Sequence, residues 1–170
     1  MKLHTAFAAA LLAAVATAVT YSGPISGGTI ADLTVGAGYA NIVIDGVTIT
    51  GALTFTSINT GAIVTVKDTS VGGAGVSFTT TLTSCVVAFT NVVVVSSVNA
   101  LWTSAFTGTS LTLSGGSYTS GGAGDKGMWF NGVVDAASSV TIGGSITVLA
   151  PSGWGVDFAG TIVGRVAITG

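Results

Sequence analysis

Hydroxyl side chains dominate the reactive inventory of this chain: 26 Thr and 17 Ser in 170 residues. A hydroxyl becomes a nucleophile only with a base beside it. The one histidine, His4, stands in an N-terminal segment expected to be removed, so no imidazole remains to act as that base. The acidic groups are six Asp, at positions 32, 45, 68, 125, 135 and 157, with no Glu. Asp32, Asp125 and Asp135 fall between the apolar runs, in connecting segments, and Asp68 falls in a turn. No catalytic set is expected from this distribution, and no metal or cofactor. Cys85 stands alone and reads as a small buried hydrophobe. The groups best suited to bind something are aromatic. Trp102 and Trp129 can stack flat ligands if both face outward, and that depends on the elements carrying them.

Composition restricts those elements. Charged residues are 6% of the chain and the net charge is −2. Four cations cannot make the basic patch that neutralises phosphates, so nucleic acid is excluded as a partner. The richness in Gly, Thr and Val opposes a helical bundle, and a single Cys opposes a disulfide scaffold. With 49% hydrophobic residues, the chain can bury a core rather than stay disordered.

The N-terminus reads as a signal peptide over residues 1–18. Lys2 supplies the basic start, Ala6 to Val19 the apolar run, and Ala16-Thr17-Ala18 the small-x-small cleavage site. That run has 14 residues, too few for a bilayer core that needs about 20. A secreted or cell-surface location is the expectation, with residues 19–170 as one domain.

That domain repeats. Apolar-x-apolar followed by a turn residue occurs as Ile42-Val43-Ile44-Asp45-Gly46, then as Val64-Thr65-Val66-Lys67-Asp68 and Val87-Ala88-Phe89-Thr90-Asn91. Leu111-Thr112-Leu113-Ser114-Gly115 and Val140-Thr141-Ile142-Gly143-Gly144 continue the series. With Gly27 and Gly170 at its ends, the turn column reads Gly27, Gly46, Asp68, Asn91, Gly115, Gly144, Gly170, spaced by 19 to 29 residues. Gly, Asn and Asp tolerate a left-handed backbone, so one recurrent bend is predicted. Two further registers run in phase. One holds Leu33, Leu53, Val76, Leu101, Met128 and Val156, and the other Ile58, Leu82, Phe106, Val134 and Ile162. Short alternating strands repeated every 20 to 30 residues make a solenoid, because one copy cannot bury its apolar face alone. The fold class expected is all-β, a right-handed parallel β-helix of about six coils stacked at about 4.8 Å. A β-sandwich of antiparallel hairpins would not produce one in-phase turn column.

The columns Ile44-x-Gly46, Val66-x-Asp68 and Phe89-x-Asn91, with Ser and Thr at outward positions, resemble right-handed β-helix proteins of the pectin-lyase type. The low charge, the run Val92-Val93-Val94-Val95 and the signal peptide are similar to the surface β-helix repeats of trypanosomatids, the dispersed gene family. The likeness spans Gly23 to Gly170. It implies a polysaccharide-binding or polysaccharide-cleaving scaffold, or a surface repeat protein. Lyases of the first kind gather acidic residues around calcium beside an Arg or Lys base, and hydrolases gather two or three Asp on adjacent coils. This chain departs from both. Asp45 and Lys67 share a column on neighbouring coils and are expected to pair.

If the register at Leu53 and Leu101 points inward, the next residue of each copy points outward: Thr54, Ser77, Trp102, Trp129, Asp157. This predicts a stacking surface of Trp102, Trp129 and Asp157, bordered by the loop that carries Asp125 and Lys126. By the same parity Trp154 is assigned to the core or its edge. A Thr-x-Thr ladder for ordering ice begins at Thr48-x-Thr50 but gives way to Ser70-x-Gly72 and Val93-x-Val95. The chain stops inside a repeat, at the bend, and is expected to be part of a longer rod or to pair there with another copy. The function expected is a structural or adhesive rod without catalytic activity, meeting glycans or cell-surface proteins. The alternative is a carbohydrate-binding or carbohydrate-cleaving protein.

Overall fold

The computed structural model describes residues 19–170, and the segment read as a signal peptide, residues 1–18, lies outside the described residues. Every strand pair is parallel, joining residues one winding apart, and the architecture is a parallel β-helix of about six turns. With no antiparallel pair among the described residues, the sandwich is removed.

One wall is a seven-stranded sheet of two- and three-residue strands, among them Leu33–Val35, Leu53–Phe55, Val76–Phe78, Leu101–Thr103, Met128–Phe130 and Val156–Phe158. Each of the first five three-residue strands is buried, half-buried, buried, the alternation of one face turned to a core. β-Branched and aromatic residues at these positions favour the extended backbone and pack well on its pleated surface. The second wall is a larger sheet that includes Asn41–Asp45, Ile63–Lys67, Val86–Ser96, Ser110–Ser120 and Ser139–Leu149. A corner between the walls is made by Leu82–Thr83 and Phe106–Thr107, continued by bridges through Val134 and Ile162.

The predicted bend is real. Gly27, Gly46, Asp68, Asn91, Gly115 and Gly144 take φ of 65°, 63°, 47°, 53°, 69° and 67°, one above another along the second wall. The Asn91 side-chain amide donates to the Asp68 carboxylate at 3.1 Å, tying two bends together. At one bend the upper strand carries an extra residue: pairing slips between Ser114 and Gly116, so that Gly116 meets Ile146 and Tyr118 meets Val148.

Stacking places like on like in the core. Val35, Phe55, Phe78, Thr103, Phe130 and Phe158 form one inward column. Phe55 and Phe78 stack at 4.3 Å between centroids, and Phe130 and Phe158 at 4.5 Å. Thr103 interrupts the aromatics. Its hydroxyl is fully buried and finds no hydrogen-bond partner among the described residues. A buried donor without a partner carries its whole desolvation cost. Thr103→Val, which keeps the shape, is therefore expected to raise stability by about 1 kcal/mol. The check is a higher urea midpoint at unchanged slope. Tyr118 has a similarly unpartnered hydroxyl, and burial pushes its ionisation well above the ordinary tyrosine value.

Two ionic details fix outward positions. Lys67 Nζ lies 3.0 Å from Asp45 Oδ2, the pair expected from the shared column. The hydrogen bond from Lys67 to Asp45 raises the lysine pKa, with their Coulombic attraction adding to it. Asp135 anchors the corner: its carboxylate accepts from Ser138 Oγ at 2.6 Å and from the Gly108 N–H at 3.1 Å. The Ser138 bond first, and the Gly108 bond next, hold its pKa below the ordinary value of 3.8. A carboxyl with a lowered folded pKa stabilises above its unfolded value and loses that contribution as pH falls through the folded one. Asp135→Asn is thus expected to lower stability at neutral pH and to lessen the loss on acidification below about pH 4. Urea midpoints of both proteins across that range check it.

Candidate functional site

The outer face of the seven-stranded wall carries a single column of side chains. Thr34, Thr54, Ser77, Trp102, Trp129 and Asp157 follow in register, as outward parity predicted. Its first half is hydroxylic, and Ser77 Oγ reaches Thr54 Oγ1 at 3.4 Å. Its second half is aromatic and then acidic. Trp102 and Trp129 are both half-buried, standing on inward neighbours that are wholly buried.

Two tight turns build a wall beside Trp129. In the first, the Asp125 N–H donates to the Gly122 carbonyl at 3.3 Å. In the second, after Pro151, the Gly153 N–H donates to the Ala150 carbonyl at 3.2 Å. The second turn lies against the first: Gly124 N–H donates to the Ser152 carbonyl at 3.1 Å, and Gly127 N–H to the Trp154 carbonyl at 3.0 Å. These bonds set Lys126, Trp129, Ser152, Trp154 and Asp157 around one cleft of about 420 Å³, with small residues filling the rest of its lining. Lys126 Nζ stands over the Trp129 ring, 4.5 Å from its centroid. The indole Nε1 of Trp129 is buried and has no hydrogen-bond partner among the described residues, so the cleft meets the ring rather than its N–H.

The predicted surface is thus redistributed. Trp129, Asp157 and Lys126 come together in the cleft, whereas Trp102 adjoins Trp129 on the column but lies outside the cleft lining. Asp125 shapes the neighbouring turn and does not line the cleft. Trp154 corrects the expectation: it is 66% exposed, not core. Parity with Val156 fails there because the strand begins only at Val156, and Trp154 belongs to the preceding turn. The signal that finds it is the cluster Pro151-Ser152-Gly153, which ends strand alternation before Trp154.

The carboxylates stay apart in role. Asp135 holds the corner, Asp45 pairs with Lys67, and the Asp32 carboxylate accepts from the Ala52 N–H at 2.7 Å. Among the described residues, no three His, Cys, Asp or Glu side chains gather as a metal site would require. A second, shallower groove of about 300 Å³ runs over Thr48, Thr50, Ser70, Gly72, Val93 and Val95. Its threonine ladder breaks at Ser70 and Val93, in the order read from the sequence. Compared with family models, curated proteins and solved structures, the chain matches none.

Proposed function

We propose that this chain is a structural or adhesive rod, secreted or displayed at a cell surface, that works without catalysis. One observation carries the reading: most of the carboxylates are committed to holding the solenoid together. Asp32, Asp45 and Asp135 hold neighbouring segments, and Asp68 holds the bend. What is left is a repetitive body with an aromatic cleft on its outer face. The reading agrees with the likeness in pattern to the trypanosomatid surface repeats.

A second reading is carbohydrate binding, in keeping with the pectin-lyase-type pattern of columns. It is favoured by the adjacent outward indoles of Trp102 and Trp129, whose apolar faces suit sugar rings. Glycan cleavage is less well served. Asp157 is on the outer face of the wall and Asp135 is engaged at the corner, in place of an acid–base pair across one bond.

The test pairs two assays on the purified protein. Immobilised protein is expected to retain intact cells on a surface, and incubation with polysaccharides is expected to release neither reducing ends nor unsaturated products. Product release that disappears in Asp157→Asn would replace the rod with an enzyme. Retention lost on periodate treatment of the cells would favour the second reading.

A further inference from the structure

The cleft already holds a cation. Lys126 places its ammonium over the Trp129 ring at 4.5 Å, inside the roughly 6 Å range of a cation–π contact. Trp154 lines the same cleft from the opposite turn and is largely exposed. Asp157 stands in register beside Trp129, and among the described residues no Lys or Arg nitrogen lies within ion-pair distance of its carboxylate. Two indoles and one carboxylate line one small space, the components of an aromatic cage with a negative wall. The seat over Trp129 is taken by a tethered ammonium on a flexible stem.

From this arrangement we infer that the cleft binds a trimethylammonium group, free or as a lipid headgroup, which displaces the Lys126 ammonium. A trimethylammonium is bulkier and less hydrated than a primary ammonium. It can touch both indoles at once while its charge faces Asp157, and quaternary ammonium ions are the ligands such cages recognise. About 420 Å³ gives it ample room. A neutral sugar gains less here. It must displace Lys126 from the ring without replacing the charge, and the Trp129 N–H is buried where it cannot donate. The inference rests on the cleft alone and not on where the rod is displayed.

The experiment titrates choline chloride into the intact protein and follows tryptophan fluorescence, with sodium chloride at equal ionic strength as the control. Choline is expected to quench saturably. Lys126→Gln, which empties the seat, is expected to bind choline about 3- to 5-fold tighter. Asp157→Asn and the exposed Trp154→Ala are each expected to bind about 5-fold weaker. Flotation with phosphatidylcholine vesicles, against phosphatidylglycerol vesicles, separates the sources. Binding to the first alone assigns a lipid headgroup, and choline binding without vesicle binding assigns a free ligand. Absence of choline binding in both the parent protein and Lys126→Gln overturns the inference, as does weaker binding in Lys126→Gln. Methyl glucoside that binds where choline does not overturns it too, and leaves the carbohydrate reading standing.

Discussion

Gly116→Ala is expected to cost about 3–5 kcal/mol, a large part of a typical domain's stability. Gly116 has φ of +92°, and a Cβ built there collides with the carbonyl oxygen of Val92, with its amide nitrogen at 2.7 Å and its carbonyl carbon at 2.8 Å. Those atoms belong to the paired strand one winding below, so relief requires breaking the ladder from Val92 to Ser96 against Gly116 to Ser120. Gly46 is the internal comparison. Its φ is +63°, but an added Cβ meets nothing nearer than Gly27 N at 3.9 Å. Gly46→Ala should therefore cost only the left-handed backbone preference, about 1 kcal/mol. Urea unfolding of the two variants, monitored by circular dichroism, measures the contrast. Equal losses would mean that the windings do not pack at Gly116 as described.

Phe78→Ala is expected to cost about 3–5 kcal/mol. Phe78 is wholly buried, stacked on Phe55 at 4.3 Å and tilted against Phe89 at 6.1 Å. Neighbours on both adjacent windings are held in their own ladders, so the hole cannot close by collapse. Phe158→Ala should cost less, because Phe158 is only half-buried although it stacks on Phe130 at 4.5 Å. A double-mutant cycle of Phe55→Ala with Phe78→Ala should return a coupling of about 0.5–1.5 kcal/mol. A Phe78→Ala loss below about 2 kcal/mol would argue against a dry, tightly stacked column.

The fold is highly legible in this sequence because two independent regularities agree. Period-two alternation tells which side chains turn inward, and the recurrence of Gly, Asp or Asn marks where each winding bends. Together they align Leu53 with Val76 and Leu101, and they align Asp45 with Lys67. The continuous eleven-residue strands Val86–Ser96 and Ser110–Ser120 are less visible, since each passes through its bend without leaving the sheet. The cleft is only half legible. Trp129 and Asp157 are on a strand, where parity applies. Trp154 and Lys126 are on turns, whose positions depend on hydrogen bonds between windings rather than on any period. Alternation is a property of extended backbone, and it carries no information through the turn from Pro151 to Trp154.

Because each strand pairs only with residues one winding away, assembly can proceed as a zipper. The first two windings to meet bear the nucleation cost, and every later one closes a loop of similar size onto a finished template. Propagation should then be near-uniform along the axis, with folding able to start at any winding and spread to its neighbours.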